Sequence, residues 1–156
     1  MPLPSSCFKV RQDFIILIFL ILSWQLCPAQ SRDIRFNRLT TDQGLLSSSA
    51  LLAVQDYQGF MWFGSEEGLQ RYDGYSFKTY LANEHDTTSL SSSYIQEILE
   101  DSHHNLWIGT LDGGLCWYDP ALDRFIRFQH DAANQKSLIS NFVQVLYEDA
   151  HETLYI

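Results

Sequence analysis

Cysteine is scarce in this chain, and what there is cannot staple it. Of Cys7, Cys27 and Cys116, only Cys116 lies beyond the first thirty residues, so no internal disulfide can form once a leader is removed. Stability must then come from packing alone. Basic residues are also few, 10 Lys and Arg against 19 Asp and Glu. That balance disfavours nucleic acid, because phosphate binding needs clustered cations. No long hydrophobic run is present either. The apolar stretch FIILIFLIL, Phe14 to Leu22, has nine residues, whereas a membrane-spanning helix needs roughly 20.

Preceded by Lys9 and Arg11 and followed by the more polar SWQLCPAQ, that run has the form of a cleavable secretory signal and not of an anchor. The small residues at Cys27 and Ala29 predict a cut just before Gln30. A lipoprotein cut at Cys27 is the alternative, disfavoured by the bulky Leu26. Loss of residues 1–29 removes Lys9, Arg11 and Asp13 and takes the formal charge from −9 to −10. The expected organisation is a signal peptide at 1–29 and an exported, periplasmic region at 30–156.

What the chain has in abundance is repetition, at 46% hydrophobic and 14% aromatic content that excludes disorder. Asp56, Asp101 and Asp149 stand at equivalent places, 45 and 48 residues apart. Trp62, Trp107 and Tyr155 each follow six residues later, with Gly64 and Gly109 two beyond. GLQRYD at 68–73 matches GLCWYD at 114–119, and SLSSSYIQEILED from Ser89 aligns with SLISNFVQVLYED from Ser137. The pattern is not helical. Each unit divides into short β-prone runs between turn residues; in the second these are YIQEILE, NLWIGT, GLCWYD and RFIRFQH.

Four short strands in a unit of about 45 residues predict an all-β fold of propeller blades, antiparallel sheets packed face to face around an axis. The blades are expected at about 46–88 and 89–136, with a truncated one at 137–156. In the first hairpin of each, the Asp caps backbone N–H groups of the turn and Gly59 takes positive φ at its exit. Asn105 is read as the replacement for that glycine in the second unit, since Asn tolerates the left-handed region. Trp62 and Trp107 are expected between adjacent blades, each contributing a few kcal/mol by burial.

These residues resemble the two-component regulator propeller repeat, in two complete units and one broken one preceded by RFNRLTTDQGLLSSS. Ser65 and Tyr155 depart from it mildly, at places where the repeat prefers Thr and Trp. The resemblance implies the extracytoplasmic sensor region of a hybrid two-component sensor histidine kinase. Such a parent is membrane-anchored in the inner membrane and homodimeric, and in many relatives it controls genes for polysaccharide use. By comparison with the earlier units the last stretch, YEDAHETLYI, halts inside a strand. An N-terminal piece of a longer protein is therefore expected, with an incomplete propeller, an exposed edge and poor solubility if expressed alone.

Propeller ligands meet loops at a channel mouth. The candidates there are Ser48, Ser49, Ser92, Ser93 and Asn141 in the loops leading into each blade, and Glu66, Glu67 and Asp112 in the turns between second and third strands. Their hydroxyl, amide and carboxylate groups suit a carbohydrate or other small-molecule ligand. The plainer alternative is that the serines cap strand starts and the acids solvate a turn. No catalytic residue, cofactor site or metal site is expected: His85, His103, His104, His130 and His151 lack zinc-like spacing, and no nucleophile–base or phosphate-loop motif stands out. Two other functions stay open, an exported propeller enzyme acting on a glycan or lactone, and a sensor propeller joined to a cyclic-dinucleotide-forming output domain.

Overall fold

A computed structural model describes Phe36 and residues 38–156. The chain divides into two units, 1–37 and 38–156, and all the strands described lie in the second. The expected signal segment and its cleavage site lie outside the described residues. Among the described residues no helix is long and apolar enough to cross a membrane.

Among the described residues a 3-10 turn at Thr41–Gln43 is followed by ten strands: β1 Leu52–Gln55, β2 Met61–Gly64, β3 Leu69–Tyr72, β4 Phe77–Tyr80, β5 Ile95–Glu100, β6 Leu106–Thr110, β7 Leu115–Asp119, β8 Arg124–Phe128, β9 Tyr147–Glu148 and β10 Leu154–Tyr155. They form two four-stranded antiparallel sheets, β1 to β4 and β5 to β8, each in sequence order, and a two-stranded sheet of β9 and β10. The four strands expected of the second unit are all present. The third unit is thinner than the second: where β5 spans six residues, its counterpart β9 spans two. Among the described residues β10 pairs with β9 alone.

The register sorts side chains between the two faces of each blade. Val54, Trp62, Arg71 and Lys78 stand in one cross-strand row of the first blade, facing the second. Ile98, Leu106, Ile108, Cys116, Tyr118 and Phe125 meet them from the second blade in one buried cluster with Trp62 and Tyr80. Trp62 is fully buried there, with the Tyr118 ring edge-on at 4.9 Å and Tyr80 stacked at 5.7 Å. The expectation of a tryptophan between blades holds, and the contacts add directional aromatic pairing to its burial.

Two glycines set the spacing. A β-carbon on Gly64 would stand 2.8 Å from Ile95 Cγ2, and one on Gly109 2.8 Å from Val143 Cγ1. The second strands of the first two blades thus each have a notch into which a β-branched residue of the next blade seats. The backbone follows, with the Ile95 N–H donating to Ser65 O at 2.9 Å and that of Val143 to Thr110 O at 3.0 Å.

Candidate functional site

Each blade has two ends, and the repeat builds them differently. At one end lies the turn between first and second strands. The amides of Gly59, His104 and Glu152 donate to the carbonyls of Asp56, Asp101 and Asp149 at 2.9, 2.9 and 3.1 Å, and these three residues take φ of 91°, 65° and 63°. The left-handed place in the second unit is therefore His104, not Asn105 as expected. The turn closes three residues after the aspartate, and Asn105 comes one later, donating through Nδ2 to Asp101 Oδ2 at 2.9 Å.

The aspartate does more than cap. Asp56 Oδ2 accepts from Trp62 Nε1 and Asp101 Oδ2 from Trp107 Nε1, both at 2.8 Å. Tyr155 puts a hydroxyl in the indole's place, donating to Asp149 Oδ2 at 3.1 Å. The six-residue spacing seen in the sequence is this hydrogen bond. Burial works against the charge on Asp101, yet donation from the Trp107 and Asn105 side chains and the turn amides holds its carboxyl below the usual range.

Neighbouring blades are latched at this end by the glutamate just before the aspartate. Glu100 Oε1 accepts from the Tyr57 N–H of the first blade at 3.0 Å, and Glu148 accepts from Ser102 N and Oγ of the second at 2.7 and 2.8 Å. His104 stacks on Tyr57 at 4.4 Å and lies 3.2 Å from Glu100, and His103 lies 3.5 Å from Glu152. Among the described residues no group of three or more His, Cys, Asp or Glu is placed to hold a metal ion.

The opposite end carries the candidate ligand residues. Here the Ser65 and Thr110 hydroxyls donate across their turns to Gly68 O and Gly114 O at 3.1 and 2.8 Å, so Ser65 performs the same task as Thr110. The lead-in loop of each blade rests on the previous blade's turn. Tyr94 OH donates to Glu66 Oε1 at 2.8 Å, and Gly114 N–H to Asn141 O at 2.8 Å. Donation to Glu66 is the first cause of a raised Tyr94 pKa.

Both kinds of loop named from the sequence thus converge at one end, but their side chains differ in what they are free to do. Ser93 Oγ accepts from Ala82 N at 3.0 Å, Asn141 Oδ1 from His130 N at 2.6 Å, and Ser92 Oγ from Tyr94 N at 3.2 Å, all within the lead-in loops. Ser48, Ser49, Glu67 and Asp112 have exposed positions. Glu66 is exposed and bonded to Tyr94. Tyr94 itself escaped the sequence reading, although an aromatic recurs at its place as Phe142.

A second constellation also went unforeseen. Asp123 Oδ1 accepts from Tyr80 OH and Tyr118 OH, each at 2.8 Å, and its other oxygen pairs with Lys78. Arg71 donates to Tyr118 OH at 2.9 Å while lying over the Phe60 ring at 4.6 Å. Burial opposes the Asp123 charge, but donation from Lys78, Tyr118 and Tyr80 brings its pKa down to about 2. Burial, together with the bonds to Tyr118 and Asp123, pushes Tyr80 up. This clasp joins the first two blades.

Blades stacked through tryptophan, glycine notch and turn aspartate define an all-β propeller-repeat protein. The family model described as two component regulator propeller matches residues 89–112, the lead-in loop and first hairpin of the second blade. The chain is similar to Histidine kinase P4 of Formosa agariphila, 38% identical over 78 residues that cover 50% of this chain and 6% of the kinase. It is similar to the extracellular domain of a protein of B. thetaiotaomicron described as a hybrid two component system, at TM-score 0.69 and 32% identity over 76% of this chain. A second extracellular domain from that organism, described as a one component system, matches at TM-score 0.58 and 28% identity over 78% of this chain. The chain spans 17% of each of those two solved chains.

Proposed function

We propose that this chain is ligand-sensing propeller from the exported part of a two-component sensor of the hybrid histidine kinase type. The observation that carries it is a repeat that matches the regulator-propeller model and is built as blades like those of two extracellular sensor-system domains. In this reading the parent is longer, anchored in the inner membrane and homodimeric. Its ligand binds at the end where lead-in loops rest on the turns between second and third strands. Binding transmits a signal only if the ligand prefers one of two arrangements of the blades and the domains that follow.

The candidate residues carry the carboxylates of Glu66, Glu67 and Asp112 and no cation. A neutral, polyhydroxylated saccharide fits them better than a uronic or sulfated one, which like charge would repel. Calorimetric titration of the full exported region with neutral, uronic and sulfated oligosaccharides tests this. Saturable heat from a neutral glycan, weakened by Glu67→Gln or Asp112→Asn, supports it. Silence across the neutral panel, or tighter binding of the sulfated one, overturns it.

A further inference from the structure

The clasp at the first seam also holds two phenols in contact. Tyr80 ends β4, and Tyr118, 38 residues further along, lies in β7. Their ring centroids are 5.9 Å apart at 68°, yet their hydroxyl oxygens are only 3.4 Å apart. The two rings therefore lean together at their hydroxyl ends. Both are buried, but Lys78, over the Tyr80 ring at 5.2 Å, and Asp123 keep 48% and 39% of their side-chain surface. The pair thus lies just beneath the surface, and an oxidant need not enter the seam to draw an electron from it.

This geometry suits oxidative coupling. A phenol that loses an electron becomes strongly acidic and gives its proton to a base within hydrogen-bond reach. Asp123 Oδ1 is that base for both, accepting from each hydroxyl at 2.8 Å. Because the carboxylate is partly exposed, it can pass the protons on to water. The unpaired electron of a phenoxyl radical is shared between the oxygen and the ring carbons beside it. Those are the ends at which these two rings meet.

We propose that Tyr80 and Tyr118 are an oxidative cross-link site, where a one-electron oxidant joins the first two blades through a carbon–carbon bond. Two equivalents of oxidant each take one electron, one from each phenol, and the two phenolic protons leave through Asp123. The radicals couple between ring carbons ortho to oxygen. The hydrogens on those carbons then move to the oxygens and restore two phenols, so the net loss is two protons and two electrons. The product is a biphenol that restricts the unfolded chain as a disulfide would. It does so where Cys116, free and buried, has no disulfide partner among the described residues. The site is particular to this seam: on the second blade the places of Arg71, Lys78 and Tyr80 are taken by Trp117, Ile126 and Phe128.

The test exposes the full exported region briefly to photo-oxidised tris(bipyridine)ruthenium with persulfate, then cleaves the monomer after glutamate. Glu84, Glu97 and Glu100 lie between the two tyrosines. Coupling therefore appears as a joined pair of peptides, lighter by two hydrogens than their sum, with the blue emission of a biphenol. Fragmentation is expected to place the bond between Tyr80 and Tyr118, and Tyr80→Phe or Tyr118→Phe should each abolish that pair. Asp123→Asn should slow coupling about 100-fold, the low end for a positioned base. Added imidazole should restore part of that rate, which a variant damaged only in its packing would not show.

The proposal falls if no joined peptide contains both Tyr80 and Tyr118. That outcome needs no variant, so it holds whatever the substitutions do to folding. Coupling of Asp123→Asn at the parent rate, or a slow rate that imidazole leaves unchanged, would equally overturn the part given to the carboxylate.

Discussion

Asp101 accepts four hydrogen bonds within one turn, from the amides of His103 and Asn105 and from the side chains of Asn105 and Trp107. Replacing it strands all four donors. Asp101→Ala is expected to cost about 3 kcal/mol in urea unfolding, at the upper end for bonds to a charged acceptor. Asp101→Asn keeps one good acceptor and should cost about half as much. At the third turn the same logic predicts that Tyr155→Phe frees Asp149 Oδ2, while Tyr155→Trp is tolerated because the indole N–H reaches that oxygen from the equivalent place in both other units. Backbone exchange of Thr153, whose N–H donates to Asp149 Oδ1 at 3.0 Å, reports the difference: unchanged protection in Tyr155→Phe would dismiss the role given to its hydroxyl.

Between elements, the notch at Gly64 is a question of space. Gly64→Ala sets a methyl group 2.8 Å from Ile95 Cγ2, and overpacking of this kind costs about 1–3 kcal/mol. Ile95→Ala should recover part of that loss, so the two substitutions couple in a double-mutant cycle. Additive costs would show that the notch does not set blade spacing. The clasp at Asp123 is a question of charge. Its carboxyl titrates at about 2 in the folded chain, against about 3.9 when unfolded. The unfolded state therefore binds more protons between those values, and the contribution of Asp123 is complete above about pH 4 and lost as pH falls through about 2. Asp123→Asn should flatten the decline in stability across that window relative to the parent, as followed by chemical unfolding at several pH values.

Strand order, blade pairing and the tryptophan seam were all legible in the sequence because they recur, and recurrence marks positions that share one physical task. The clasp was not. Arg71, Lys78 and Tyr80 find Tyr118 and Asp123 only through the packing of one particular pair of blades, and the next pair substitutes Trp117, Ile126 and Phe128. The reach of Glu100 and Glu148 was half visible, repeated twice but broken by Gln55 in the first unit, whose side chain turns instead to Gly59 O at 3.2 Å. The candidate ligand residues were legible as loops sharing one end. Which of them are occupied by lead-in loop bonds, as Ser93 and Asn141 are, depended on contacts 11 residues away in each case.

Over the whole molecule, protection should grade along the chain. The first two blades share a continuous buried cluster around Trp62, Ile95 and Ile108. The third contributes Leu146 and Val143 to a smaller one and exposes Val145, Tyr147 and Ile156. Amides of β2 and β6 are expected to exchange slowest and those of β9 and β10 fastest, by orders of magnitude. Uniform exchange across the three sheets would contradict a stability built from nearest-neighbour seams.

The glutamate before the second and third turn aspartates also gives the stack a direction. Glu100 and Glu148 both bind backwards, to a turn made of residues synthesised earlier. In both pairs the fastener between two blades is therefore carried by the blade that comes later in the chain.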